Sequence, residues 1–194
     1  MIDKLSKIEE YAKLNNVPIM EKEGIDFLVT YIKENNIKSI LEIGSAIGYS
    51  AIKMALVSDD ITITTIERDI NRYDQAINNI NEFGLNKRID IILDDAFNVK
   101  IEKKYDLIFI DAAKSQYIKF FEKFKINLNE NGVIVTDNLK FHGLAINPEL
   151  IKGRSLRALV RKLNDYVDFL KTNEEFSTTF YDIGDGVAIS TRNK

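Results

Sequence analysis

Short β-branched runs alternating with helical patterns constrain this chain more than any other feature. Lys38–Ile43, Ile61–Ile66, Ile89–Leu93, Leu107–Ile110 and Val133–Thr136 are near-continuous apolar runs, the pattern of strands buried on both faces. Between them lie segments of helical period. In Ile70–Phe83 the residues Ile70, Tyr73, Ile77 and Ile80 share one face, with Asp69 as N-cap and Gly84 as the C′ residue. Strand, helix, strand in this order implies right-handed crossovers and a parallel sheet covered on both sides. The end of the chain breaks the rhythm. Phe176–Tyr181 and Val187–Thr191 are strand-like and joined by Ile183-Gly184-Asp185-Gly186, a hairpin signal. Two helices, about Lys4–Asn15 and Glu23–Asn35, precede the first strand, and Pro18 between them holds an extended link. The expected fold class is α/β: a doubly wound, mostly parallel, Rossmann-like sheet of roughly seven strands with a C-terminal antiparallel strand pair and N-terminal helices. One domain is expected over residues 1–194, with a helical cap (1–36) and an α/β core (37–194).

Composition narrows the chemistry. Absence of cysteine excludes disulfides and thiolate metal sites and suits a reducing, cytoplasmic setting. Charges at Asp3, Lys4, Lys7, Glu9 and Glu10 interrupt any secretory apolar region, and no run approaches the ~20 apolar residues that span a bilayer, so no membrane partner is expected. A net charge of −3, from 27 basic and 30 acidic residues, argues against indiscriminate nucleic-acid coating but permits a local basic patch. His142 is the single histidine, which disfavours Ser-His-Asp catalysis and a histidine-rich zinc site.

Leu41-Glu42-Ile43-Gly44-Ser45-Ala46-Ile47-Gly48-Tyr49-Ser50 follows a strand and opens a helix. In that setting glycines let backbone approach a ligand at a helix N-terminus. The pattern is not Gly-x-Gly-x-x-Gly, because Ala46 replaces the second glycine and the Gly44–Gly48 spacing differs. By itself it reads equally well as a tight turn needing small residues. Glu67 ends the next strand, where a carboxylate is either a solvated charge or the acceptor for two ribose hydroxyls. Asp94-Asp95-Ala96 ends a third strand; a carboxylate there can grip an adenine amino group while the small residue leaves room for the ring. Three such features at successive strand ends point to a nucleoside ligand.

A second constellation is acidic. Asp111 ends one strand, and Asp137 and Asn138 end the next, so their oxygens are expected to meet at one sheet edge. Either aspartate alone reads as a helix cap. Together with Asn138 they form a hard ligand set suited to magnesium, calcium or manganese.

Glu42-Ile43-Gly44, Gly48-Tyr49-Ser50, Asp111-Ala112 with Lys114 and Tyr117, Asp137-Asn138 and Gly184-Asp185-Gly186 jointly resemble the metal-dependent O-methyltransferase family, which includes caffeoyl-CoA and catechol enzymes. The resemblance runs from about Met20 to Ser190. The short chain, the Asn16-Val17-Pro18-Ile19-Met20 entry and the basic segment after Gly153 look most like the bacterial branch that methylates 5-hydroxyuridine in tRNA. The resemblance implies a methyltransferase fold and an S-adenosylmethionine pocket lined by Met20, Gly44, Ser50, Glu67, Asp95, Ala96 and Asp111, with Glu42, Ser45 and Gly48 of the first motif in the same site. It implies Mg²⁺ (or Mn²⁺ or Ca²⁺) on Asp111, Asp137 and Asn138, catalytic roles for Asp111 and Lys114, and a homodimer. Ala113 departs from the acidic or polar residue that many relatives carry.

In 5-hydroxyuridine the 5-OH neighbours the O4 carbonyl, so one metal can chelate both oxygens and stabilise the alkoxide. Lys114 reads as proton acceptor, as oxyanion partner or as an ordinary surface lysine. Arg154–Leu170 is an amphipathic pattern with Leu156, Leu159, Val160, Leu163, Val167 and Leu170 facing the core. Arg154, Arg157 and Arg161 form one stripe on it, and with Lys140 and Lys152 they suit phosphates of a tRNA anticodon loop, unless the face is merely solvated. Phe141 and His142 read as base-stacking or loop-packing residues. A small-molecule O-methyltransferase acting on catechol-like oxygens is the alternative, and a nonenzymatic nucleoside-binding module the distant one.

Overall fold

The computed structural model describes residues 2–140 and 153–193. Each apolar run becomes a strand: β1 (Ser39–Ile43), β2 (Thr62–Glu67), β3 (Ile89–Leu93), β4 (Tyr105–Ile110) and β5 (Leu128–Thr136). Two more, β6 (Phe176–Tyr181) and β7 (Val187–Arg192), form the expected antiparallel hairpin. The strands join in the order β3-β2-β1-β4-β5-β7-β6, parallel from β3 to β5 and antiparallel beyond. This is the seven-stranded, Rossmann-like methyltransferase fold. β4 and β5 start earlier than their apolar runs indicate, because residues such as Asp106, Asn129 and Glu130 at the sheet's lower edge remain partly or fully exposed.

Alternation along the strands divides the core in two. Ile40, Ile63, Leu107 and Phe109 pack on one face against α1 (Ile2–Leu14), α2 (Lys22–Glu34), α3 (Tyr49–Ala55) and α4 (Ile70–Glu82). Leu41, Ile108, Ile110 and Ile134 pack on the other against α5 (Tyr117–Phe124) and α6 (Arg154–Lys171). Burying each such side chain contributes about 1.5–3 kcal/mol, which offsets the cost of ordering the chain. Among the described residues no helix is long and apolar enough to cross a membrane.

Caps and faces mostly follow the sequence. Asp69 Oδ1 accepts from the N–H of Asn71 and Arg72, opening α4, and Gly84 closes it at φ 70°. The α4 face differs from expectation: Ile70 is exposed, and Ala76, Asn79 and Ile80 carry the contact. Ile70 is the first residue of α4, and the buried positions of the helix begin at its second turn. On α6 the core includes Tyr166, whose hydroxyl meets Thr136 Oγ1 at 2.7 Å; a hydrogen-bonded Tyr is buried as readily as Phe. Leu156, Leu159 and Val167 are only partly covered.

Asp106 ties the base of β4 to the base of β1. Its Oδ2 accepts from Lys38 N–H (3.0 Å), Ser39 N–H (2.9 Å) and the Ser39 hydroxyl (2.9 Å), and its Oδ1 from Asn129 Nδ2 (2.7 Å). Burial raises this carboxyl, but the hydrogen bonds from Asn129, Lys38 and Ser39 outweigh it and hold the pKa below its ordinary value. A depressed carboxylate adds stability above its unfolded pKa of about 3.9 and loses it as pH falls through the folded value. Asp106→Ala is therefore expected to cost about 1.5–3 kcal/mol at neutral pH. Urea unfolding of the two proteins should show that difference shrinking as pH drops below about 4.

Candidate active site

The strand order reverses between β1 and β4, and crossover helices leave that point on opposite faces, which opens a crevice at the strand C-termini. Gly44 shapes its floor. At φ 99°, a Cβ on Gly44 would stand 2.1 Å from the Asp111 carbonyl oxygen, so only glycine lets β1 and β4 end this close together. The N–H groups of Gly44 and Ser45 both donate to Ile66 O. Ala46 then takes a left-handed φ of 45°, and its N–H donates to Glu67 Oε2 at 2.8 Å. Glu67 Oε1 accepts from the N–H of Arg68 and Asp69, both at 2.9 Å. Three backbone donors thus aim this carboxylate, and it keeps acceptor capacity toward the crevice.

The crevice encloses about 640 Å³. Met20, Gly44, Ser45, Ser50, Glu67, Asp95, Ala96, Asp111, Lys114 and Asn138 line it. Glu42, Gly48 and Asp137 stand outside its lining. Glu42 is wholly buried, with Ser50 Oγ and Thr65 Oγ1 each donating to it at 2.5 Å, so it orients Ser50 and does not face a ligand. Gly48 is the left-handed N-cap of α3, packed against Ala76. Among the described residues, Ser45 Oγ is buried with no protein partner, which leaves it ready for a ligand's polar group.

Asp111, Asp137 and Asn138 do converge. Asn138, at φ 66°, donates its amide to Asp137 Oδ2 (2.8 Å) and Asp111 Oδ1 (3.2 Å). Tyr117 Oη donates to the Asp137 carbonyl at 3.1 Å and fixes the backbone there. Helix capping is not what Asp111 does: the turn Lys114–Gln116 has Ala113 at its N-cap. Burial pushes both carboxyls up, Asp137 further because of the Asp111 charge, while the Lys114 charge opposes the shift. Two crowded carboxylates beside one amide suit an oxygen-loving divalent cation, which would relieve their repulsion; the Asn138 amide need only turn over to offer Oδ1. Among the described residues no three His, Cys, Asp or Glu side chains form such a group, so the fit rests on this mixed set.

Other residues at this edge were given no site role by the sequence. Asp185, named above only for the hairpin and the family motif, is buried in the β6–β7 turn, and its charge acts on Asp137. Phe97 stacks on Phe120 (centroids 4.8 Å apart, 18° between planes), and both line the crevice. Phe97 follows Asp95-Ala96 directly, a signal available in the sequence; its pairing with Phe120 was not. Arg154, Arg157 and Arg161 are exposed on α6. Lys140 instead pairs its ammonium with Asp182, which occupies the charge proposed for a phosphate. Phe141, His142 and Lys152 lie outside the described residues.

The O-methyltransferase family model matches residues 1–193. The chain is similar to tapetum-specific methyltransferase 1 of Arabidopsis thaliana, at 29% identity across 95% of this chain and 82% of the relative. A solved candidate caffeoyl-CoA O-methyltransferase from Staphylococcus aureus superposes with a TM-score of 0.92 at 39% identity, covering 97% of this chain and 92% of that one. The S-adenosylhomocysteine-bound methyltransferase of Podospora anserina shares the fold, with a TM-score of 0.89 at 22% identity over 99% and 88% of the two chains.

Glu42 gives the site a pH-dependent cost. Burial raises its carboxyl to about 7 although the Ser50 and Thr65 hydroxyls oppose the shift. Between about pH 4.3 and the folded value the native state holds the extra proton, so stability falls as pH rises through that window. Glu42→Gln mimics the protonated form. From pH 5 to pH 8 its unfolding free energy should improve relative to wild type by about 2–3 kcal/mol. A parallel pair of stability–pH curves would contradict this.

Proposed function

This chain belongs to the O-methyltransferase family, and on that premise we propose that it moves a methyl group from S-adenosylmethionine to one of two neighbouring oxygens of its acceptor. The observation that carries this reading is the union, at one sheet edge, of a crevice with Glu67 on its wall and the Asp111–Asp137–Asn138 group at its end. When bound, S-adenosylmethionine supplies an electrophilic methyl group. A divalent cation, held by Asp111, Asp137 and Asn138, would supply the charge that favours an ionised acceptor oxygen.

The chain's own residues bind, orient and manage the proton. Glu67, already aimed by three N–H groups, accepts from the ribose hydroxyls. Asp95 and Ala96 receive the nucleobase. The backbone of Gly44–Ala46 closes on the amino-acid end, and Met20, buried on the link before α2, excludes water there. Lys114, half-buried on the crevice wall with its charge felt by both aspartates, either takes the acceptor's proton or holds the oxyanion.

Chelator treatment is expected to abolish turnover, and Mg²⁺ or Mn²⁺ to restore it. Asp137→Ala should lose about 10²-fold or more in kcat while still binding S-adenosylhomocysteine in a calorimeter, because Asp137 lies behind the crevice lining. Full activity of metal-stripped enzyme would overturn the cation's role.

For the acceptor we propose tRNA 5-hydroxyuridine, methylated to 5-methoxyuridine. Support comes from α6. It ends near Phe176 at the lower edge, and Tyr166 meets Thr136, so the turns bearing Arg161, Arg157 and Arg154 rise about 8–18 Å beyond that point, on the crevice side. A small catechol-like acceptor is the second reading, favoured by the description of the S. aureus protein. A homodimer and a cytoplasmic setting belong to the same proposal. Arg157→Ala with Arg161→Ala should leave folding intact, weaken tRNA binding and flatten its salt dependence by roughly one unit of slope per lost phosphate contact. If tRNA is methylated by neither protein while a catechol is methylated equally by both, the second reading replaces the first.

A further inference from the structure

Lys123 lies on α5, away from the crevice lining, and sends its ammonium into the turn that follows β3. Its Nζ stands 2.6 Å from the Ala96 carbonyl oxygen, 2.7 Å from that of Phe97 and 2.8 Å from that of Val99. An ammonium carries three N–H donors, and each meets a carbonyl here. Carbonyl dipoles that converge in this way repel one another unless a cation sits among them. The inner side of the turn is held by Asp95. Its Oδ1 accepts from Phe97 N–H at 2.9 Å, and its carbonyl from the N–H of Asn98 (2.8 Å) and Val99 (3.3 Å). Phe120, one helical turn before Lys123, stacks on Phe97. α5 therefore grips the turn twice, through a charge and through a ring, and Asp95, Ala96 and Phe97 on that turn form crevice wall.

We propose that Lys123 is a positioning residue: by fixing the Asp95–Val99 turn it directs the Asp95 carboxylate and so sets the site's preference for a purine bearing an exocyclic amino group. The proposal rests on the crevice being the S-adenosylmethionine site. A carboxylate only accepts hydrogen bonds, so it welcomes the amino group of adenine and opposes the carbonyl that hypoxanthine carries at the same position. That discrimination depends on where the carboxylate points. Asp95 is more than one-third exposed, and among the described residues its ion-pair contact is Arg68 at a long 3.8 Å, so the backbone of its turn must supply the direction. A lysine that merely stapled α5 to the sheet would lower stability when removed, with equal effect on both purines.

The test is calorimetric binding of S-adenosylhomocysteine and S-inosylhomocysteine to wild type, Lys123→Met and Lys123→Arg. Wild type is expected to favour the adenosyl compound by about tenfold or more. Lys123→Met should lose about tenfold in affinity for it, with little change for the inosyl compound, so that the preference falls to within about twofold. Lys123→Arg keeps the charge, but a planar fork cannot meet three carbonyls gathered around one point, so an intermediate preference is expected. Should the Met variant fail to fold, the folded Arg variant carries the comparison. An unchanged preference, an equal loss for both compounds, or a wild type without preference overturns the inference. A wild type that binds neither compound overturns the cofactor reading itself.

Discussion

The site depends on one close approach of backbone to backbone, Gly44 against the Asp111 carbonyl. β1 and β4 are neighbours in the sheet, but their crossovers leave on opposite faces, and the crevice exists because of that divergence. Any side chain at 44 would drive Asp111 away, since even a Cβ would stand 2.1 Å from its carbonyl oxygen. With glycine there, the loop 44–48 and the end of β4 form one continuous wall. Asp111 consequently both lines the crevice and belongs to the paired carboxylates, and everything proposed about methyl transfer follows from that shared position.

Around this contact, buried carboxylates do structural and functional work together. Glu67 clamps the left-handed Ala46 through its N–H while keeping an open side to the crevice. Glu42, one layer deeper, accepts from Ser50 and Thr65 and has no free face. Both lie at the C-terminal ends of strands in the same sheet, yet one faces the crevice and the other serves the loop. The difference lies in hydrogen-bond partners: backbone amides hold Glu67 at the surface of the wall, and hydroxyls enclose Glu42 within it. Asp137 and Asp111 form a third arrangement, two carboxylates bridged by the Asn138 amide, and it is their mutual repulsion that a cation would relieve.

The strands were legible because their apolar runs are continuous, and the caps because Asp69 and Gly84 are chemically distinctive. Boundaries and faces were less so. The polar opening of β5 looks like loop, and Ile70 looks like core although it is exposed at the start of α4. Among site residues, Glu67, Asp95 and Asp111 could be found by strand-end position. Glu42 stands within the same motif, and nothing local says that Ser50 and Thr65 will enclose it. Lys140 looks like a phosphate ligand until the β6–β7 hairpin brings Asp182 to it.

The sequence by itself determined the α/β class, the strand ends that bear acidic side chains and the family, because periodicity, glycine spacing and acidic strand termini are local properties of the chain. Tertiary structure alone decided which of those residues meet. The Asp111–Asn138 contact spans 27 positions, Ala46–Glu67 spans 21, and the Lys123 ammonium reaches carbonyls 24 to 27 residues away. Such contacts arise from strand order and register, and these are selected by packing two apolar layers at once, which no window along the chain contains.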